Sequence, residues 1–334
     1  MKERIPQNPP IIDKLAHDKD APLWSVMIPV YNCIKYIPEA IKSVLQQDLG
    51  EKKMQIEVID DCSTDGDVEK LVMELGKGRI KYFRQETNLG SLRNFETAIN
   101  RAKGEYIHLL HGDDCIKPGF YSTLEGLLSS DDQIGAAFCA SIYIDGESQI
   151  IDRQRFIAQN HGVLKNALIL LGEGQKIETP SIVVKRHVYE TLGAFRAVIY
   201  GEDWDMWIRI AYQYKIAYTP EYLAEYRRHS TSISAEKIKM ADNIRDLERV
   251  IELTSEYFPA ELRTSIHKKA KYNYGWFAII TANEFWYRHK NGKAAKAQLK
   301  AAVKVSKSPG ILLAAVRLYF KVVLGIENPI FNKG

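Results

Sequence analysis

Carboxylates recur in this chain where short apolar runs end. The run Gln55–Asp60 closes on Asp60-Asp61, and Tyr106–Leu110 is followed by His111-Gly112-Asp113-Asp114. An uncompensated carboxylate is too costly to bury, so such a pair wants solvent, a cation or a polar ligand. Either pair alone is explained equally well by a turn or a helix cap. Together they say more, because consecutive parallel strands deliver their carboxyl ends to one edge, where open α/β sheets bind ligands. Carboxylates gathered there repel one another, and a divalent cation relieves that repulsion. Asp oxygens with open water positions suit Mg2+ or Mn2+. Such an ion can bridge a diphosphate and stabilise it as a leaving group.

Two further clusters could contribute. Asn88–Asn94 reads as a turn opening a helix, whose backbone N–H groups and Arg93 could meet phosphate oxygens. A plain turn and cap account for Asn88 and Gly90 equally. The stretch Gly201–Trp207 holds Glu202, Asp203 and Asp205 beside Trp204 and Trp207, and continues to Arg209. It is either an acidic helix N-terminus favoured by the dipole, with its tryptophans in the core, or a general base beside an aromatic platform for a sugar ring.

The elements that must position these residues follow an alternating rhythm. Ser25–Val30, Gln55–Asp60, Arg79–Phe83 and Glu105–Leu110 read as strands. Apolar residues at helical spacing lie between them: Ile37, Ile41, Val44 and Leu45; Val68, Leu71, Val72 and Leu75; Leu92, Phe95, Ile99 and Ala102. This alternation predicts an α/β fold with a parallel, doubly wound sheet. Strands are further expected at Ala136–Ile144, Ser181–Val184 and Ile216–Tyr226, and helices at Leu164–Leu171 and Tyr200–Tyr214. The expected organisation is an N-terminal arm over residues 1–24, a catalytic domain over 25–235 and a C-terminal helical region over 236–334.

Composition narrows the class. The chain has 334 residues, 46% hydrophobic and 26% charged, as in an ordinary globular protein, and its net charge of +4 is too small to imply nucleic acid. Cys33, Cys62, Cys115 and Cys139 are scattered, which argues against a zinc site or disulfide framework and fits a reducing cytosol. No apolar stretch reaches the roughly 20 residues of a membrane span. A cytoplasmic protein is expected.

In order along the chain, VMIPVYN (Val26–Asn32), VIDDCSTDG (Val58–Gly66), NLGSLRN (Asn88–Asn94), GEYIHLLHGDD (Gly104–Asp114), EDWDMWIR (Glu202–Arg209) and YRRHSTSIS (Tyr226–Ser234) resemble the motifs of family 2 glycosyltransferases. The resemblance covers about residues 25–235. It implies the GT-A fold, a Rossmann-like nucleotide-diphospho-sugar transferase domain, and inverting transfer from a nucleotide-diphospho-sugar donor to a saccharide or lipid-linked saccharide acceptor. Mapped by resemblance, Asp61 contacts the base and Asp60 shapes the same pocket. Pro29, Tyr31 and Asn32 line the wall around base and ribose, and Arg93 lies near the diphosphate. Asp114 is the metal-binding Asp, with Asp113 facing the ribose or the metal shell. Asp203 is the catalytic base, and His229 reaches back to the metal or diphosphate. Thr179, Glu202 and Trp204 fall at positions that flank the acceptor cleft, although Trp204 could equally be core.

One departure stands out: many relatives have Asp where this chain has His111. A lone His at a strand end is more often a local hydrogen-bonder than a ligand, and both which oxygens hold the metal and whether His111 takes part stay open. The implied mechanism is a single displacement, with Asp203 taking the proton of the attacking hydroxyl. An unperturbed Asp, with a pKa of about 3.9, would act through positioning and late proton transfer.

In the C-terminal region, Ile311–Ile326 is apolar but for Arg317 and Lys321, four apart on one helical face. It either packs against the rest of the chain or a second subunit in a homo-oligomer, or rests peripherally on the inner face of the plasma membrane. The resemblance points to cell-surface polysaccharide or glycolipid biosynthesis. The alternatives are a sugar nucleotidyltransferase, disfavoured because Pro29–Cys33 contains no glycine, and a non-catalytic nucleotide-sugar-binding protein.

Overall fold

A computed structural model describes residues 3–16 and 19–326. Residues 1–2 and 17–18 of the expected arm, and 327–334 of the expected helical region, lie outside the described residues. By internal contacts the chain forms two units, Met1–Ala167 with Lys176–Arg228, and Leu168–Gln175 with His229–Gly334.

The first unit is built on one mixed sheet. Its opening half alternates as expected: β1 (Trp24–Val30), α1 (Ile37–Leu45), β2 (Met54–Asp60), α2 (Val68–Gly76), β3 (Lys81–Arg84), α3 (Ser91–Arg101) and β4 (Tyr106–Leu109). Val30 pairs with Asp60, and Met27 with Leu109, all in parallel register. The exits of β2 and β4 therefore share one edge. Trp24, Val26, Ile28, Ile56 and Val58 are buried beneath it.

After β4 the sheet becomes mixed. The chain runs through β5 (Cys115–Ile116), α4 (Phe120–Leu128), β6 (Ile134–Ile144), β7 (Ile150–Arg153), β8 (Gly162–Val163), α5 (Ala167–Gly172), β9 (Ile182–Lys185), α6 (Arg186–Leu192), α7 (Glu202–Gln213) and β10 (Lys215–Arg227). The sheet order is β3-β2-β1-β4-β9-β6-β10-β5. β9 is antiparallel to both β4 and β6, while β10 is parallel to β6 and antiparallel to β5. A parallel neighbour needs a crossover connection, whereas an antiparallel one can follow through a short turn, as β7 follows β6.

The described part of the arm is integral to this unit. Ile12 is 1% exposed. Ala197 N–H donates to Pro6 O at 2.8 Å, Ala194 N–H to Pro10 O at 2.9 Å, and Arg186 Nη2 to Asp13 O at 3.0 Å. Gly193 makes this seat possible: its φ is +74°, and a Cβ there would meet Pro10 O at 2.6 Å.

The second unit is helical: α8 (Ile233–Met240), α9 (Asp242–Leu253), α10 (Ala260–Tyr287), α11 (Gly292–Val305) and α12 (Pro309–Val323). Residues 168–175 join it through Gln175 N–H to Tyr274 Oη at 2.9 Å and Asn273 Nδ2 to Glu173 O at 2.9 Å. The chain enters this unit at His229, ahead of the expected boundary at 235. On α12, Ile311, Ala315, Leu318 and Val322 are buried. Among the described residues, no helix is long and apolar enough to cross a membrane.

Candidate active site

The turn after β4 brings His111, Asp113 and Asp114 together, with one ligating atom of each within 4.8 Å of the others. Gly112 permits this seat: a Cβ there would lie 2.5 Å from Val30 Cγ1. Asp114 is 1% exposed. Its Oδ1 accepts the Arg227 N–H at 2.8 Å, whereas its buried Oδ2 has no hydrogen-bond partner among the described residues. His111 Nδ1 lies 3.7 Å from that Oδ2, and His111 Nε2 is likewise buried without a partner. Burial, and then the neighbouring Asp113, push the Asp114 carboxyl well above the ordinary carboxylate range. Burial pushes the His111 imidazole down, so it stays neutral with a lone pair to offer.

The unsatisfied Asp114 Oδ2 and a neutral imidazole, with the Asp113 carboxylate in reach, fit a divalent cation. His111, whose part the sequence leaves open, is thus placed beside Asp114. Its ring stacks on Phe95, with centroids 5.1 Å apart and planes 8° from parallel, which aims it at the carboxylates.

Arg227 holds this turn in place, a role not legible in the sequence. Its Nε donates to Asp113 O at 2.7 Å, Nη1 to Asp145 O at 2.9 Å and Nη2 to Glu39 Oε2 at 2.8 Å. Its identity within YRRH carries no signal of this, because the contact depends on β10 lying antiparallel to β5.

At the exit of β2 the two carboxylates are committed differently. Asp60 is fully buried. It accepts from Ser63 N–H at 2.9 Å, Ser63 Oγ at 2.6 Å, Tyr82 Oη at 2.7 Å and Arg84 Nη1 at 2.5 Å. It shapes the loop and has little left for a ligand. Asp61 accepts Leu89 N–H on Oδ1 at 2.7 Å, and Gly90 N–H and Asn88 Nδ2 on Oδ2 at 2.8 and 3.0 Å. The Asn88–Gly90 turn is thus hung on Asp61. Asn32 joins the first two loops, its Oδ1 accepting Thr64 N–H at 2.8 Å and its own N–H donating to Ser63 Oγ at 3.1 Å. Pro29 is buried in β1 and Tyr31 is exposed beside it. Arg93 is occupied: Nη1 pairs with Glu96 Oε2 at 2.5 Å, and Nε donates to Glu3 O at 2.7 Å.

The acidic helix divides its carboxylates between two jobs. Asp205 is fully buried between Arg196 Nη2 at 3.1 Å and Arg209 Nε at 2.8 Å. Arg209 in turn donates to the carbonyls of Leu192 and Ala194 at 2.9 Å each. Asp205 is therefore a structural ion pair. Asp203, half-buried in the first turn of α7, accepts the Trp204 N–H at 2.7 Å. Trp204 is 0% exposed, so its indole is core and offers no open face to a sugar; that expectation is corrected. Trp207 is buried too, with Nε1 donating to Ile177 O at 3.1 Å. Thr179 is buried in the turn Thr179–Ser181, and Glu202 is half-buried next to Asp203.

Between the two acidic groups lies Glu178, which no motif flagged. Its Oε1 accepts Tyr143 Oη at 2.9 Å, and burial raises its pKa. Tyr200 feels the charges of Glu178, Asp203 and Glu202, while Tyr226 feels Glu178, Asp114 and Asp113; burial and these carboxylates raise both phenol pKa values. Arg228 lies 3.9 Å over the Tyr143 ring. His229 belongs to the second unit, where its Nδ1 is 2.9 Å from Thr231 Oγ1.

Comparison with known proteins gives concordant results. A family model described as Glycosyl transferase family 2 matches residues 25–193. An uncharacterized glycosyltransferase of Haemophilus influenzae is 28% identical over 228 residues, 65% of this chain and 69% of that protein. A crystal structure of Staphylococcus aureus TarS 1-349 in complex with UDP-GlcNAc superposes with a TM-score of 0.61 at 16% identity, covering 90% of each chain. The mannosyltransferase PcManGT from Pyrobaculum calidifontis, in complex with GDP-Man and Mn2+, gives 0.58 at 18% identity over 99% of this chain and 86% of its own. At these identities the two structures establish a shared fold, that of the GT-A transferases.

Proposed function

The chain belongs to glycosyl transferase family 2, and from that premise we propose that it transfers a sugar, with inversion, from a nucleotide-diphospho-sugar to an acceptor hydroxyl, assisted by Mg2+ or Mn2+. Family membership sets aside the nucleotidyltransferase alternative. The main support for cation assistance is the unpartnered Asp114 Oδ2 facing His111 in the His111–Asp113–Asp114 cluster. Those three residues would hold the ion. When bound, it would supply positive charge to the diphosphate leaving group. The complexes of TarS with UDP-GlcNAc and of PcManGT with GDP-Man and Mn2+ fit a donor of this class.

The chain's own residues do the rest. Asp61, Pro29, Tyr31 and Asn32 hold the nucleoside end, and Asp60 keeps their loops in register. Arg227 fixes the Asp113-Asp114 turn so that its carboxylates face the diphosphate rather than relax toward solvent. Asp203 accepts the proton of the acceptor hydroxyl as the new bond forms opposite the leaving group. Glu202 and Thr179 border the acceptor. Divalent-cation-dependent release of nucleoside diphosphate, assayed over UDP-, GDP-, ADP- and CDP-sugars, tests the reaction. At least one donor should be turned over, and chelation should lower the rate at least tenfold. Equal turnover in chelator would remove the cation from the mechanism.

A saccharide or lipid-linked saccharide is the acceptor in this proposal, which places the enzyme in cell-surface polysaccharide or glycolipid assembly at the inner membrane face. On α12, Leu313 and Phe320 are each 58% exposed, and Val316 and Val323 are exposed beside them, with Arg317 and Lys321 along one flank. That arrangement suits an anionic bilayer surface. The full chain should float with vesicles containing phosphatidylglycerol, and the double variant Leu313→Glu/Phe320→Glu should not. Equal flotation would exclude this helix from membrane contact.

A further inference from the structure

Arg93 is expected near the donor by resemblance, yet its guanidinium is held by Glu96 and by the carbonyl of Glu3. The arm that takes up Arg93 brings a second arginine to the same place. Arg4 Nη2 donates to Asn88 Oδ1, and Arg4 packs so closely on the Asn88–Gly90 turn that a Cβ on Gly90 would meet its Nε at 2.8 Å. Arg4 does not arrive there by chance of a loose terminus. Glu3 O is anchored by Arg93 at 2.7 Å and Pro6 O by the Ala197 N–H at 2.8 Å, so both sides of Arg4 are pinned. Its other N–H groups have no partner among the described residues.

Asn88 is the link to Asp61. The amide that accepts from Arg4 donates through Nδ2 to Asp61 Oδ2 at 3.0 Å, and the Arg4 charge acts on the Asp61 carboxyl, lowering its pKa against the rise caused by burial. Among the described residues Asp61 Oδ1 accepts only the Leu89 N–H, so one of its lone pairs is open to a further donor. An acceptor and a guanidinium side by side match a ring N–H beside a carbonyl. Uracil, thymine and guanine present that pair. Cytosine and adenine present an amino group beside an unprotonated nitrogen, which would set donor against donor and acceptor against acceptor.

We propose that Arg4 is a specificity-determining residue of the donor site, reading the base carbonyl while Asp61 accepts the adjacent ring N–H. This rests on Asp61 being the base contact. Asp61 is 1% exposed, so a base must displace a neighbour to reach it. Arg4, held to Asn88 by one solvent-exposed hydrogen bond, is the neighbour free to move. The base carbonyl then replaces Asn88 Oδ1 as its acceptor.

Titration calorimetry of the full chain with UDP, GDP, CDP and ADP tests the proposal. The wild type should bind UDP or GDP at least tenfold tighter than CDP and ADP. Arg4→Ala should weaken the preferred nucleotide by about tenfold, the worth of one charge-assisted hydrogen bond. It should change the others less than twofold, and Arg4→Lys should restore part of the loss. Arg4 is exposed, so the melting temperature of the variants should match the wild type. Unchanged selectivity in Arg4→Ala, or an equal loss for all four nucleotides, would overturn the role of Arg4 and leave the donor site intact. A wild type that binds none of the four would overturn the donor-site assignment itself.

Discussion

Asp203→Asn is expected to lower kcat by about a thousandfold, within the range a positioned general base contributes. The amide keeps the shape of the carboxyl and can still accept the Trp204 N–H through its oxygen. Helix α7 and the Asp205 ion pairs with Arg196 and Arg209 are untouched, so the fold and the cleft should persist. Nucleoside diphosphate binding by calorimetry should stay within about twofold of wild type, because in the proposed arrangement Asp203 meets the acceptor and not the donor. The informative contrast is Asp205→Asn, two residues away. It removes the charge between two buried arginines and should lower the melting temperature sharply, as breaking a buried ion pair does. Turnover by Asp203→Asn within tenfold of wild type would remove this residue from the role of base.

Asp114→Asn should separate metal binding from folding. In the wild type the buried Oδ2 has no hydrogen-bond partner, and burial together with Asp113 raises the carboxyl pKa far above its unfolded value of 3.8. As pH rises past 3.8 the unfolded chain gives up a proton that the native chain still holds. Without a cation, then, wild-type stability falls relative to Asp114→Asn as pH increases, and the two converge below that point. In chelator at neutral pH the variant should melt no lower than the wild type. With Mn2+ at about a hundred times its dissociation constant, linkage adds about 2.7 kcal/mol to the wild type, and the variant should gain none of it. Transfer should drop by at least about a hundredfold, matching several kcal/mol of lost charge stabilisation in the transition state. An equal rise in melting temperature for both proteins on adding Mn2+ would show that Asp114 does not hold the ion.

Asp114 and Asp203 are both legible in the amino-acid sequence, and for the same reason. A strand exit is marked by an apolar run that stops, and a helix start by Gly followed by acids, so each stands out by local pattern. Arg227, Glu178 and Arg4 do not. Each works through a partner far along the chain: Arg227 through Asp113 and Glu39, Glu178 through Tyr143, Arg4 through Asn88. No local period reports such a pairing. The corrected reading of Trp204 and the open one of His111 share that origin. Trp204 resembles a platform because its neighbours are acidic, but helix α7 turns its indole inward to 0% exposure. His111 stays open because a lone His at a strand end has no local pattern to mark it as a ligand. Its stacking on Phe95 and its approach to Asp114 depend on α3 packing beside the β4 exit.

The order of strands and helices through β4, the shared edge of Asp60-Asp61 and Asp113-Asp114, and membership of a sugar-transferring family were all contained in the sequence by itself. They follow from hydrophobic period and from short motifs, which are local quantities. Tertiary structure alone decided the mixed half of the sheet, the capture of Arg93 by Glu96 and the arm, and the seating of Arg4 on Asn88. It also decided which acids are satisfied and which are left wanting. Asp60 and Asp205 are fully hydrogen-bonded, while Asp114 keeps an unpartnered oxygen. That distinction is the functional one, and it cannot be local: a carboxylate's need for a ligand is set by every group the fold places within hydrogen-bonding reach, and by the water it excludes.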